Sequence, residues 1–235
     1  MPKIELTRLQ KDILSFIGKD IFGNNFYWTG GTLLSYLYLS HRFSVDLDFF
    51  SDDLFKDDEY LEFINKLKKE IRADKITQTI QHNRRLYFIE RGKENVKLEF
   101  VFFPFPAVEK RTEIKEFSIK ADSLSDIMVN KVLSTYQRNE VKDIYDLYWY
   151  LSNKPEYIAT LKYNIIKLIK LVEKKFGVAI EPVLLLEKIN EMCDTLSSLT
   201  PLLVKSEPDI VIKIRTFFQE IFNDIAEKDI GSENF

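Results

Sequence analysis

An α+β fold is predicted: a mixed or antiparallel sheet flanked by helices, followed by a helical C-terminal region. Three features of the 235-residue sequence carry that expectation. Short alternating runs, the mark of half-buried strands, are confined to residues 27–119. Helical periodicity brackets and interrupts those runs, and beyond residue 123 it is the only pattern left. The composition, 45% apolar and 30% charged with 19 Phe and 11 Tyr, supplies an ordinary globular core rich in aromatic rings.

The elements follow in order. Residues 6–22 repeat Leu9, Ile13, Phe16, Ile17 and Ile21 at helical spacing. Residues 23–26 (GNNF) read as a turn, and Tyr27-Trp28-Thr29 as a short strand ending in Gly30-Gly31. A buried helix is expected over 32–40 and an alternating strand over 44–50 (SVDLDFF). Tyr60, Ile64, Leu67 and Ile71 mark the next helix. Strands are expected at 76–81, 85–90 and 96–103, with a hairpin loop at 91–95 between the last two. Pro104 and Pro106 end the sheet region apart from a short strand near 116–119. Helices are expected at 123–138, 141–152, 156–176, 181–197 and 208–226, with a frayed tail from Ile230. Asn153-Lys154-Pro155 is the expected boundary, dividing the chain into domains 1–153 and 154–235.

The lone Cys193 cannot form an internal disulfide and reads as a buried filler. The N-terminus lacks the apolar stretch of a secretory signal, and no run approaches the ~20 apolar residues of a membrane span. A soluble cytoplasmic protein with no membrane partner is expected. The net charge of −3 argues against a nucleic-acid packaging role. From Glu181 onward there are five basic against eleven acidic residues, so residues 1–180 carry a small positive excess. Anionic ligands are expected to meet that first part.

Four groups of residues could carry chemistry. Glycine is scarce, seven in all, yet Gly30 and Gly31 are adjacent at a strand-to-helix junction. Such a junction lets backbone N–H groups approach a phosphate, with the Thr32 hydroxyl as a further donor; a plain tight turn is the alternative. Asp46 and Asp48, two apart on a strand, share a face and can converge on one hard cation or on two. Unliganded, they would repel one another. In the run 96–102, Lys97 and Glu99 face opposite to Val96, Leu98, Phe100 and Phe102, so Glu99 becomes a third carboxylate if this strand lies beside the Asp strand. Finally, Lys131 falls on the apolar face of its helix with Leu124, Ile127 and Met128. It either points at a bound phosphate or pairs, as Arg138 can, with Asp143 of the next helix. Asp146 reads as structural.

The string from Thr29 to Phe50, TGGTLLSYLYLSHRFSVDLDFF, closely resembles the first motif of the AbiEii/AbiGii nucleotidyltransferase toxin family, within the DNA polymerase β-like superfamily. The segment Asp126 to Leu151 resembles the family's later motif, with Asp126, Lys131, Arg138 and Lys142-Asp143 in matching order. The third carboxylate position holds Glu99, where Asp is usual in that family. The resemblance covers about residues 25–152 and implies a polymerase β-like nucleotidyltransferase core. It also implies transfer of a nucleoside monophosphate from a nucleoside triphosphate (NTP) to an acceptor hydroxyl. By this resemblance Asp46, Asp48 and Glu99 are the catalytic and metal-binding carboxylates, using Mg²⁺, with two ions during catalysis. Glu99 would either help hold the second ion or act as base. Gly30, Gly31, Thr32, Arg42, Ser44, Lys131, Arg138 and Asp143 are the implied nucleotide-binding set. The implied setting is a bacterial toxin–antitoxin or phage-defence pair with a cognate antitoxin. The implied acceptor is RNA, such as a tRNA 3′ end. A small-molecule or protein acceptor, or a nucleotide-binding regulator without transferase activity, is the alternative.

Overall fold

The structure is a computed structural model that describes residues 4–153, 158–204 and 209–232, without the side chains of 158–163 and 224–232. The chain divides into two compact units, Met1–Ile127 and Met128–Phe235. The division falls inside a helix, α4 (Leu124–Gln137), well before the boundary expected at 153/154; Lys154 and Pro155 themselves lie outside the described residues.

In the first unit, α1 spans Arg8–Ile17. Thr7 caps it reciprocally: the Thr7 hydroxyl accepts from the Gln10 amide, and the Gln10 side chain accepts from the Thr7 amide. Such a cap contributes ~1 kcal/mol. Leu9, Ile13, Leu14 and Ile17 bury completely. The helix stops five residues earlier than its apolar spacing predicts, and Ile21 is 89% exposed rather than part of the stripe. The reason is Gly18, where a Cβ would sit 1.8 Å from the Phe117 carbonyl oxygen. The chain turns there instead of continuing, passing through a short 3₁₀ turn at Gly23–Asn25.

Seven strands form one mixed sheet: β1 (Tyr27–Thr29), β2 (Leu47–Ser51), β3 (Lys75–Gln81), β4 (Arg84–Arg91), β5 (Glu94–Phe102), β6 (Thr112–Ile114) and β7 (Ile119–Ala121). Their spatial order is β3-β4-β5-β2-β1-β7-β6. β2 runs parallel to β5 and antiparallel to β1, which in turn runs parallel to β7. Alternation sorts the faces: Leu47, Phe49, Tyr87, Ile89, Val96, Leu98 and Phe100 turn inward. α3 (Asp57–Glu70) lays Tyr60, Phe63, Ile64 and Leu67 onto that face. The rings of Phe22, Phe26, Phe55, Tyr60, Phe63 and Phe100 meet tilted or edge-on, Phe26 and Phe100 at 4.7 Å. Each such pair adds ~0.5–1.5 kcal/mol beyond its buried area.

The expected helix over 32–40 begins earlier, at Gly30. It is α-helical over α2 (Gly30–Leu33), widens to a π-helical turn over Leu34–Leu39 and is ended by Ser40 in the left-handed conformation (φ 50°). The strand expected at 116–119 is instead the second half of a hairpin. Residues 115–118 form its turn, with Ser118 left-handed, and β6, too short for its alternation to register, pairs with β7.

In the second unit, α5 (Val141–Ser152), α6 (Ile158–Phe176), α7 (Pro182–Cys193) and α8 (Ile210–Ser232) bury Ile144, Leu147, Leu151, Ile165, Val172, Leu185, Ile189, Ile214 and Phe218. Cys193 is buried among them, as expected of a filler. A 3₁₀ segment, Leu196–Leu202, joins α7 to the residues before α8. The last expected element, the tail, is helical to Ser232; residues 233–235 lie outside the description.

Candidate active site

The parallel pairing of β2 with β5 sets Asp48 directly beside Glu99 in register. Across β2 on its other side, Asp48 faces Thr29, the last residue of β1. Asp48 therefore sits where the chain leaves β1 for Gly30-Gly31. Gly30 has φ +80°, and a Cβ there would lie 2.1 Å from Asp48 Oδ2. A Cβ on Gly31 would lie 2.5 Å from Arg42 Nη2. Both glycines are thus required by neighbours that carry charge: backbone, carboxylate and guanidinium pack as one layer.

Asp46 lies one residue ahead of β2, not within it, and the burial alternation stops there too: Val45 is 52% exposed whereas Leu47 is fully buried. Its place is fixed by other groups. The buried Thr32 hydroxyl donates to the Asp46 carbonyl and also hydrogen-bonds the Ser44 hydroxyl at 2.8 Å. The Gln10 side-chain amide, 1% exposed, donates to the carbonyls of Ser44 and Val45, each at 3.2 Å. Thr32 and Ser44, read from the sequence as phosphate contacts, have their hydroxyls engaged in shaping this loop. Arg42 is 2% exposed and donates to its neighbour's carbonyl, Phe43 O, at 3.3 Å. His41, at 1% exposure, lies 3.4 Å from the Ser35 hydroxyl, a structural position.

Lys97 stands among the three carboxylates. Its ammonium lies 3.3 Å from Asp46 Oδ2 and 3.6 Å from Glu99 Oε2. Burial works to lower its pKa, but the fields of Asp46, Asp48 and Glu99 together outweigh that and raise it. Glu99, 6% exposed, has its other oxygen, Oε1, 3.2 Å from Arg84 Nη1. Among the described residues, no three His, Cys, Asp or Glu side chains are gathered into a ready metal-binding group. What is gathered is two carboxylates at the β1–β2 junction and a third held by cations.

The remaining candidates lie in the second unit. Lys131 Nζ is 2.6 Å from Asp143 Oδ1 and 2.7 Å from Asp146 Oδ2. Arg138 holds Asp143 Oδ2 through Nε and Nη2, each at 2.9 Å. Asp143 and Asp146 are essentially inaccessible. Of the two sequence readings of Lys131, pairing with the next helix is thus formed, and it extends to Asp146. Asp126, in the first unit, accepts from the amides of Val108 and Glu109 and from the Ser123 hydroxyl, closing the loop after β5.

Gln10, Arg84 and Lys97 were not singled out from sequence. Nothing local marks Gln10, whose targets lie more than thirty residues away. A cavity of about 720 Å³ lies at the Gly23–Phe26 end of β1, away from these carboxylates. Its Arg111 is paired to both oxygens of Asp52 and lies 3.5 Å over the Tyr27 ring, a locked cation rather than a ligand hook.

A family model described as nucleotidyl transferase AbiEii toxin of type IV toxin–antitoxin systems matches residues 12–232. The match reaches through the C-terminal helices, beyond the segment whose motifs are visible by eye. No curated protein matches. Among solved structures, MenT4, a nucleotidyltransferase toxin from Mycobacterium tuberculosis H37Rv, is similar at TM-score 0.59 and 16% identity, over 90% of this chain and 81% of that one. JHP933 from Helicobacter pylori is similar at TM-score 0.58 and 15% identity, over 97% and 98% of the two chains. At these identities the likeness is one of fold.

Proposed function

This chain belongs to the AbiEii family of nucleotidyltransferase toxins, and on that footing we propose that it transfers a nucleoside monophosphate from an NTP to a hydroxyl of RNA, such as a tRNA 3′ end, in a Mg²⁺-dependent reaction restrained by a cognate antitoxin. The observation that carries the reading is the packing of Gly30 and Gly31 against Asp48 and Arg42.

The chemistry asks for a place where a triphosphate, a cation and an acceptor oxygen meet. Asp46 and Asp48 fit a divalent ion of the Mg²⁺ type, which one or two carboxylates plus substrate phosphates commonly hold. That a lysine ammonium already lies against Asp46 and Glu99 supports the cleft's preference for a cation. Mg²⁺ bound there would supply charge neutralisation on the phosphate oxygens. The protein's own groups do the rest. The backbone at Gly30-Gly31, stripped of side chains, lets Asp48 and Arg42 pack against the turn that the triphosphate would approach. Arg42, buried under Gly31, offsets charge that grows on the leaving pyrophosphate. Thr32, Ser44 and Gln10 hold the Asp46 loop in position. The acceptor hydroxyl gives up its proton to water as its oxygen bonds to the α-phosphorus, the α–β bridging bond breaks, and pyrophosphate leaves.

Incubating the protein with each of four α-³²P-labelled NTPs, Mg²⁺ and total RNA tests the reading. Label in RNA, concentrated in the tRNA band and lost in Asp48→Asn, is expected. Label entering a small molecule or protein instead would move the acceptor, and label entering nothing, with NTP still bound, would support the regulator alternative.

A further inference from the structure

Glu99 is the carboxylate whose surroundings differ most from those of a metal ligand. Both of its oxygens face a cation, Oε1 toward Arg84 at 3.2 Å and Oε2 toward Lys97 at 3.6 Å. Glu99 itself is 6% exposed, while Lys97 is part-buried and Arg84 reaches it from the surface with its side chain 48% exposed. Lys97 is placed by strand geometry. It lies two residues before Glu99 on β5, on the same face. Its neighbour across the parallel pairing is the residue ahead of β2, Asp46, whose Oδ2 it approaches at 3.3 Å. One ammonium thus spans the gap between Asp46 and Glu99, where a second ion would have to sit to be shared by them.

We propose that Lys97 takes the place of a second metal ion, so that the cleft holds a single divalent cation on Asp46 and Asp48, while Glu99 serves to hold Lys97. The inference rests on the metal reading of Asp46 and Asp48 above and narrows it from two ions to one. A divalent ion entering between Asp46 and Glu99 would have to expel a half-buried ammonium already neutralised there. It would also have to share Glu99 with Arg84, which draws on the other oxygen, Oε1. A lysine in that position supplies fixed positive charge at no cost in bound ion, and it cannot be removed by a chelator.

The test counts Mn²⁺ bound to the full chain by the electron paramagnetic resonance of the free ion, with no nucleotide present. The wild type is expected to bind one ion and Asp46→Asn none. Lys97→Met, which keeps the stem and loses the charge, is expected to bind two. Lys97→Met combined with Glu99→Gln should return to one, and Lys97→Arg should stay at one. Glu99→Gln alone should keep the wild-type count, because its carboxylate is not a ligand. Two ions in the wild type, a lost ion in Glu99→Gln, or an unchanged count in Lys97→Met would each overturn the proposal. Equal binding by wild type and Asp46→Asn would instead remove the metal reading of Asp46, and this proposal with it.

Discussion

Replacing Lys131 with Met keeps most of the side-chain volume and removes one charge from the interior of the second unit. The ammonium is 9% exposed and contacts Asp143 and Asp146, whose side chains are 1% and 0% exposed, at 2.6 and 2.7 Å. At an effective dielectric of about 20, each contact is worth roughly 6 kcal/mol of gross attraction, most of it consumed by desolvating the ions. The net loss is set by what is left behind. Asp143 keeps Arg138, bound through two nitrogens at 2.9 Å, so only part of the pairing is lost. Breaking a buried pair from one side costs ~3–5 kcal/mol, and the surviving Arg138 puts this case at the lower end, about 3 kcal/mol. Urea denaturation followed by circular dichroism should show the helical transition moving down by about 1.5 M, taking a slope near 2 kcal/mol/M. Adding Asp146→Asn to Lys131→Met should recover part of that loss, since one of the two carboxylates that faced the ammonium is then neutral. A Lys131→Met protein within ~0.5 kcal/mol of wild type would refute the reasoning, because only an exposed or already neutral lysine behaves that way.

Gly30→Ala should cut transfer about 100-fold while leaving the chain folded. Its Cβ would strike Asp48 Oδ2 at φ +80°, and displacing a reacting group by ~1 Å costs about 100-fold in rate, measurable in the labelled-NTP assay. Asp46→Asn should remove transfer and the ~2–3 kcal/mol of stabilisation expected from Mg²⁺-NTP at about a hundred times Kd. Its empty form should melt within ~1 kcal/mol of wild type, because the pair it loses with Lys97 is part-exposed; a much lower melting point would make Asp46 a structural residue. Tyr60 is pushed up to about 12 by burial, against the opposing field of Arg85. A phenol whose pKa is raised by folding stabilises fully below its ordinary value of 10.0 and loses that contribution as pH rises toward 12. Stability measured in urea should therefore fall between pH 10 and 12, and less steeply in Tyr60→Phe.

Much of the site is visible in the chain because strands write their faces into the sequence. The phase that set Lys97 and Glu99 opposite Val96 and Leu98 is the phase found, and the placing of Glu99 beside Asp48 followed from pairing their strands. Asp46 shows where the pattern misleads: the alternation runs through residue 46, but hydrogen-bonded pairing starts at Leu47, and a threonine and a glutamine hold the residue instead. The partners of those carboxylates were not legible. Lys97 carries no local sign of being an ion partner of Asp46, fifty-one positions back, because that contact is made only when β2 and β5 meet. Gly18 ended α1 for a similar reason, an approach by Phe117 from the far side of the unit. Lys131 was placed on the right helix face by spacing, while the identity of what it faces came from packing of α4 on α5.

β5 and β2 lie third and fourth from the β3 edge of the seven-stranded sheet, each covered on both sides by a neighbouring strand. Central strands of that kind open last, so the amides around Asp48 and Glu99 should exchange with solvent deuterium only when the whole unit unfolds. Asp48 and Glu99 therefore ride on the least pliable part of the chain. Displacing them costs the opening of the sheet, whereas Asp46, ahead of β2 on a segment tied by Thr32 and Gln10, can shift without it.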